Sequence, residues 1–266
     1  MDVLIHDFLR HLAAGGASLN TLKLRKYYLE RFACSHSILE ATPADLEDFL
    51  TEHHWSNETA RSARSALVTF YSWLHDSGQI SSNPTARLPI IHELPPNPHP
   101  LPEQEYVKAL RRAPARWRIA IRLAGEAGLR RSEIAQVAAS DVFQDILGYS
   151  LHVHGKGGKE RDVPLGDSLA LELRLALRGQ TWLYPSPPHS GHITADYLAK
   201  RVRAYLPKEW SMHALRHRFA TIAYAQTTDI RAVQELLGHA NLNTTQRYVA
   251  VPRQRLREVA RAAAVG

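Results

Sequence analysis

Apolar residues in the first part of the chain recur every three or four positions, which is the spacing of amphipathic helices. The first of these runs contains Val3, Phe8 and Leu12 and reaches Gly15, where the helix is expected to end. A longer run covers residues 57–77. The pattern therefore predicts that this region folds as a set of helices.

Two local signals refine this helical pattern. Thr42 can cap a helix that has Pro43 in its first position and Asp45 in its first turn. Cys34, the single cysteine of the chain, ends an apolar run and is expected at a buried helix position. A single cysteine excludes both an intramolecular disulfide and a thiolate metal cluster.

A proline-rich segment separates this region from the rest of the chain. Five of the twelve residues at 91–102 are proline, so the segment lacks amide donors and is expected to be extended and semi-rigid. We interpret it as a linker between two domains, at residues 1–90 and 103–250. Residues 251–266 then form a basic, amphipathic tail.

In the second domain the spacing of apolar residues is helical except in one stretch, where it alternates as in a β-strand. Residues 149–154 alternate between apolar and polar, and a glycine-rich turn at 155–158 connects them to residues 159–164, which predicts a β-hairpin. Helical spacing begins at about Glu103, before the hairpin, and returns after it in 167–178, 193–205, 212–226, 229–238 and 242–249. The predicted fold is mainly α with a small antiparallel β-sheet, in two domains.

The charge of the chain is positive, with 33 Lys and Arg against 26 Asp and Glu, a net charge of +7 and a pI near 9.6. This balance favours a nucleic-acid partner, because neutralising phosphates releases condensed counterions, although an Arg-rich protein without that partner has the same composition. The N-terminus is acidic where a signal peptide is basic, and no apolar run approaches the roughly 18 residues of a membrane helix. We therefore expect a soluble, cytoplasmic protein with no membrane partner.

Arg130 is the first candidate for chemistry. It follows Gly128, which can end one helix and leave Arg130 at the start of the next, a position suited to a phosphate oxygen. The alternative is a surface arginine beside Glu133 as a helix-capping acid.

A second candidate lies at His213, Arg216 and His217, which share one helical face. Two histidines four residues apart can bind zinc, but the glutamate of the metalloprotease motif is missing. An anion site is the better interpretation, since an arginine between two metal ligands is electrostatically unfavourable.

Three further residues are ambiguous when taken singly. Lys156 lies in the predicted hairpin turn, where it could reach into a cleft or remain solvated. His239 follows a helix end at Gly238, and Tyr248 lies nine residues later, where a core aromatic is the simpler interpretation.

The order of these residues resembles the tyrosine recombinase family, which includes phage integrases and the bacterial Xer recombinases. Ala-Gly-Leu-Arg-x-Ser-Glu-Ile, Gly-Lys-Gly-x-Lys-Glu-Arg, His-x-Leu-Arg-His, Leu-Leu-Gly-His and Thr-Thr-x-x-Tyr occur here in family order between residues 100 and 250. The resemblance implies a helical core-type DNA-binding domain at 1–90, a catalytic domain at 103–250, and no metal or other cofactor. The active site that it implies consists of Arg130, Lys156, His213, Arg216, His239 and Tyr248.

The resemblance also implies a role for each residue. Tyr248 attacks a DNA phosphodiester to give a 3′-phosphotyrosine, while Arg130 and Arg216 bind the non-bridging oxygens. Lys156 protonates the 5′ leaving oxygen, and Lys159 remains an alternative for that role. The further roles are His213 as general base or phosphate donor, His239 as phosphate donor, and Glu133 and His217 as supporting residues.

The partners implied are double-stranded DNA with inverted-repeat core sites, further copies of the chain in a tetramer on that DNA, and a recombination directionality factor. The expected setting is the nucleoid, and the tail at 251–266 is expected to dock on a neighbouring copy. Basic residues expected to contact DNA are Arg25, Lys26, Arg61, Arg64, Arg131, Lys159 and Arg161.

The leading functional hypothesis is a small integrase, without an arm-binding domain, that integrates or excises a phage or mobile element. Xer-like resolution of chromosome or plasmid dimers is one alternative. A type IB topoisomerase and a non-catalytic DNA-binding protein are the others.

Overall fold

The computed structural model describes residues 3–94, 99–155, 157–186 and 191–238. The chain divides between residues 95 and 96 into two compact units, each with its own hydrophobic core. Among the described residues, no helix is both long enough and apolar enough to cross a membrane.

The first unit is helical, as the apolar spacing predicts. Its core consists mainly of aromatic and aliphatic side chains, including Phe8, Phe32, Phe49 and Phe70, which are at most 1% exposed. Its helices are α1 (Val3–Ala14), α2 (Leu19–Ala33), α3 (Pro43–Glu52) and α4 (Asn57–Asp76).

The start of α3 has the predicted cap. The Asp45 amide donates to the Thr42 hydroxyl, and the Thr42 amide donates to the Asp45 carboxylate at 2.7 Å, while Pro43 occupies the first helical turn. The predicted burial of Cys34 is wrong. Helix α2 ends at Ala33, so Cys34 lies just beyond the helix and is exposed, while Phe32 points into the core.

The second unit is helical around one small sheet. Its elements are α5 (Glu103–Arg112), α6 (Ala115–Glu126), α7 (Arg131–Ala135), a 3-10 turn (Ala139–Asp141), β1 (Val142–Gln144), β2 (Tyr149–His154), β3 (Glu160–Leu165), α8 (Asp167–Leu177), α9 (Ala195–Arg203), α10 (Met212–Thr227) and α11 (Ile230–Leu237). The helix predicted at 242–249 and the tail at 251–266 lie outside the described residues.

The sheet contains the predicted hairpin. Strands β2 and β3 are antiparallel and pair Leu151 with Val163 and His154 with Glu160. Strand β1 pairs with the other edge of β2. The sequence did not predict β1, because three residues are too short to show an alternating pattern.

Helix α6 lies at the centre of the second unit and packs against α5, α8, α9 and α10. Most of its residues are buried, including Ile119, Ile121 and Leu123. Because α6 is fixed on several sides, the turn that follows it at Gly128 has a defined position in the core. That turn leads directly to Arg130.

The cap of α3 provides a test of the first unit. Replacing Thr42 by Ala removes the hydroxyl that receives the Asp45 amide, and we expect a loss of about 1 kcal/mol in unfolding free energy. Equilibrium urea unfolding of the full chain measures this loss. Thr42→Ser keeps the hydroxyl and should match the wild type to within a few tenths of a kcal/mol; equal losses in both variants would contradict the capping role.

Candidate active site

A glycine turn brings Arg130 to the start of α7. Gly128 has a φ of +68°, and a Cβ atom there would lie 2.4 Å from a ring carbon of Phe219. Only glycine satisfies both conditions, since other residues rarely adopt this backbone conformation. The chain thus reverses between α6 and α7 and leaves the Arg130 side chain partly exposed.

The carboxylate of Glu133 is the centre of the site, and its side chain is 1% exposed. It accepts hydrogen bonds from the Arg130 amide at 2.8 Å and from Arg130 Nη1 at 2.8 Å. It also accepts from both terminal nitrogens of Arg161, at 3.0 and 2.9 Å. Glu133 therefore both caps α7 and joins α7 to β3.

These contacts keep the Glu133 carboxyl ionised. Burial alone would raise its pKa, but the hydrogen bonds and charge of Arg161, with those from the backbone and side chain of Arg130, outweigh burial. The pKa of Glu133 is therefore held below its ordinary value. A buried carboxylate that stays charged can fix several guanidinium groups at once.

Arg216 lies on α10 and is 1% exposed. Its Nη1 donates to the carbonyl of Gly128 and lies 4.0 Å from the Glu133 carboxylate. Its Nη2 donates to the carbonyl of Leu237 at 2.6 Å. Arg216 thus connects the turn after α6 to the end of α11.

The end of α11 is held by three arginines. The Leu236 carbonyl accepts a hydrogen bond from Arg161 Nε at 2.7 Å, and the Leu237 carbonyl accepts one from Arg216 Nη2 at 2.6 Å. The Gly238 carbonyl accepts a longer one, of 3.4 Å, from Arg130 Nη2. The last carbonyls of a helix have no partner within the helix and carry its negative partial charge. The guanidinium groups satisfy these carbonyls and fix Gly238, the residue directly before His239.

The cluster has an excess of positive charge. Three guanidinium groups surround a single carboxylate, which leaves two net positive charges among these four side chains. The exposed fraction falls from 32% for the Arg130 side chain to 10% for Arg161 and 1% for Arg216. Arg130 is therefore the member of the cluster most accessible to an anion from solvent.

The two histidines of α10 lie next to this cluster. His213 is exposed, and its ring packs perpendicular to that of His217 with 4.7 Å between ring centroids. Of the predicted site, the structure thus brings together Arg130, Arg216 and Glu133, with this histidine pair on the same helix as Arg216. Lys156, His239 and Tyr248 lie outside the described residues.

The turn of the hairpin between β2 and β3 is tight. The Gly155 amide donates to the Lys159 carbonyl at 2.6 Å, and a Cβ atom at Gly155 would lie 2.8 Å from that oxygen. Gly157 and Gly158 both have positive φ. Lys159 is exposed on this turn.

Known proteins resemble this chain in sequence and in fold. Residues 102–255 match the model of the phage integrase family. A tyrosine recombinase XerC from Chromobacterium violaceum is 34% identical, over 97% of this chain and 93% of its own length. The chain belongs to the phage integrase family of tyrosine recombinases. It is a site-specific recombinase.

Solved structures of tyrosine recombinases share its fold. XerH, bound to palindromic difH in a post-cleavage complex, superposes with a TM-score of 0.67 at 25% identity, over 94% of this chain and 79% of its own. A lambda integrase tetramer bound to a Holliday junction superposes with a TM-score of 0.76 at 19% identity. This match covers 93% of this chain and 76% of the lambda integrase chain. The predicted fold class, mainly helical with a small antiparallel sheet, is confirmed.

Several basic residues expected on DNA make contacts within the recombinase fold. Arg25 donates to Ser65 at 2.7 Å, and burial lowers the pKa of its guanidinium. Arg64 donates to the carbonyls of Leu88 and Pro89. Their guanidinium groups hold elements of the first unit together, and the contact of both arginines with DNA stays a prediction.

Three more of these basic residues pair with acids at the surface, at distances of 3.2 to 3.7 Å. These pairs are Arg61 with Glu93, Arg131 with Asp196 and Lys26 with Glu30. Each pair is exposed, so its contribution to stability is small and the basic group can exchange its partner for a phosphate.

The sequence did not predict that Arg161 is part of the Glu133 cluster. It was expected to contact DNA, but its guanidinium lies in the interior on Glu133 and on the end of α11. The alternation of β3 carries the signal for this position, since Arg161 falls in the same inward series as Val163 and Leu165, which are buried. We interpret Arg161 as a residue that positions the site.

The Glu133 cluster can be tested by removing its single negative charge. We expect Glu133→Gln to lower the unfolding free energy by about 3–5 kcal/mol, because it leaves buried guanidinium groups without a counter-charge. Urea unfolding of the full chain measures this change. The matched control is Glu105→Gln, which breaks an exposed pair with Lys108 and should cost at most about 1 kcal/mol. Similar losses in both variants would contradict the proposed role of the buried Glu133 charge.

The lowered pKa of Glu133 predicts a specific acid response. A carboxyl with a folded-state pKa below its unfolded value of about 4.3 contributes stability that is complete above that pH and is lost as the pH falls through the folded pKa. The difference in unfolding free energy between wild type and Glu133→Gln should therefore narrow below about pH 4. Urea unfolding at a series of pH values from 7 to 3 tests this, and a constant difference would show that the pKa is not lowered.

Proposed function

We propose that this recombinase cleaves and rejoins double-stranded DNA through a covalent bond between Tyr248 and a 3′-phosphate. The observation that carries the proposal is the arginine cluster, in which Arg130 and Arg216 are fixed by one buried carboxylate and by the carbonyls that lead to His239. A rigid pair of guanidinium groups is suited to the two non-bridging oxygens of a phosphodiester.

The reaction follows from the residue types. The Tyr248 oxygen forms a bond to phosphorus while the bond from phosphorus to the 5′ oxygen breaks. Tyrosine has an unperturbed pKa of about 10, and nearby cations favour its phenolate form. His213 is proposed to accept the phenol proton, and Lys156 gives a proton to the leaving 5′ oxygen, with Lys159 as the alternative donor.

The remaining predicted residues support this geometry. His239 follows Gly238 directly and is proposed to donate a hydrogen bond to the phosphate, while His217 supports His213 through their ring contact. Attack by the 5′-hydroxyl of another strand reverses the first step and joins new partners. Neither step consumes an external energy source, because the phosphodiester energy is kept in the phosphotyrosine.

The proposed partners are DNA and further copies of the chain. The XerH and lambda integrase structures described above contain DNA, and the latter is a tetramer on a Holliday junction. By analogy we propose a tetramer on inverted-repeat core sites in the nucleoid, with the tail at 251–266 docking between copies. A directionality factor would act on this assembly.

The likeness to XerC over nearly the full length of both chains favours an Xer-type role, the resolution of chromosome or plasmid dimers. Integration or excision of a phage or mobile element is the second candidate, favoured by the matching phage integrase family model. Mapping the DNA ends that become linked to the protein in cells distinguishes them. Ends at one chromosomal site in strains without the element support dimer resolution, and ends at the borders of an inserted element support integration.

The nucleophile is tested with a nicked suicide substrate, in which the cleaved strand segment diffuses away and traps the covalent intermediate. We expect the wild type to form a protein–DNA adduct and Tyr248→Phe to form none, as measured by denaturing gel electrophoresis. Tyr197→Phe is the matched control, since Tyr197 is a half-exposed tyrosine on α9 and should leave the adduct unchanged. An adduct formed by Tyr248→Phe would refute the assignment.

A further inference from the structure

Two histidines and two acids lie opposite one another on the outer face of the hairpin. His152 and His154 are two residues apart on β2, so both side chains lie on the same face of the strand. The register of the hairpin places Asp162 across from His152 and Glu160 across from His154. This face is opposite to the one that carries Val153 into the core.

Glu160 lies between the two imidazole rings. One of its oxygens is 3.5 Å from His152 Nε2, and the other is 3.3 Å from His154 Nδ1. One ligand atom from each of these three side chains lies within 4.8 Å of the other two. Ligands about 2.0–2.1 Å from a tetrahedral zinc ion are about 3.4 Å from one another. Each imidazole is at about that distance from one carboxylate oxygen, so small side-chain rotations would bring all three ligands onto one ion.

The far nitrogen of each ring faces a second carboxylate. His152 Nδ1 lies 2.7 Å from Asp162, and His154 Nε2 lies 3.4 Å from Asp141, whose side chain is 9% exposed. Histidines that bind metals in proteins show this arrangement, in which a carboxylate on the far nitrogen fixes the ring and increases its basicity. The two outer acids thus orient His152 Nε2 and His154 Nδ1 toward Glu160.

We propose that His152 Nε2, His154 Nδ1 and the Glu160 carboxylate bind one divalent zinc ion, with water as the fourth ligand. Two imidazoles and a carboxylate are a donor set that zinc accepts, whereas magnesium and calcium prefer oxygen alone. Three carboxylates surround two imidazoles here, so a divalent cation neutralises a local excess of negative charge.

The ion would link β2 to β3 beside the turn at 155–159. This site is separate from the arginine cluster, which lies on the opposite face through Arg161 on β3. The proposal goes beyond the recombination reaction, which by the family resemblance is expected to need no metal. Zinc binding can therefore succeed or fail independently of DNA cleavage.

Titration of the chelator-treated full chain with zinc, in competition with a chromophoric chelator, tests the proposal. We expect one tight equivalent for the wild type, and at least a tenfold weaker affinity for His154→Ala and for Glu160→Gln. His75→Ala is the matched control, since His75 is an exposed histidine 3.5 Å from a single acid, and it should bind zinc like the wild type. The circular dichroism of each zinc-free variant checks that it is folded.

A second pair of histidines, His213 and His217, could also take up zinc, so the location of the site is tested separately. The tight equivalent should remain in His213→Ala and disappear in His152→Ala. The reverse result would overturn the proposal, as would a wild type that binds no zinc tightly. Asp162→Asn removes the charge behind His152, and we expect it to weaken zinc binding by about tenfold or more without changing the stoichiometry.

Discussion

The site depends on one buried negative charge. Removing a carboxylate from water is costly unless other groups compensate it fully, and Glu133 meets this condition through Arg130 and Arg161. One carboxylate does not balance three guanidinium groups, so the carbonyl of Gly128 and those at the end of α11 supply further acceptors. The requirement to satisfy these groups therefore links α7, β3 and the helix pair α10 and α11, which come from three separate stretches of the chain.

The sequence predicts those parts of the fold that have a local physical cause. The start of α3 at Thr42 and the hairpin of β2 and β3 both follow from neighbouring residues, and both are observed. Features that depend on distant contacts or on very short elements were not predicted. Cys34 was misplaced because nothing local shows that α2 ends one residue earlier, and β1 pairs with β2 without a pattern of its own.

The same distinction applies to the candidate site. The motifs identify Arg130 and Arg216, and the structure brings both against Glu133, while the roles of Lys156, His239 and Tyr248 stay predictions. Motif order does not show which basic residues point into the fold, so Arg161 was expected to contact DNA and its place in the Glu133 cluster was not predicted. The outer face of the hairpin was also missed, because its histidines and acids become neighbours only through the pairing register.

The depth of the arginine cluster has a consequence for how this recombinase responds to ionic strength. Interactions between exposed charges are screened within about 10 Å at 0.1 M salt, whereas buried pairs are screened much less. Contacts that the exposed arginines and lysines of the first unit make with a phosphate backbone would therefore weaken as salt rises. The Glu133 cluster, with two of its arginines at most 10% exposed, would keep its geometry. Salt should thus weaken contacts of exposed charges, including those proposed with DNA, well before it disturbs the arrangement of this cluster.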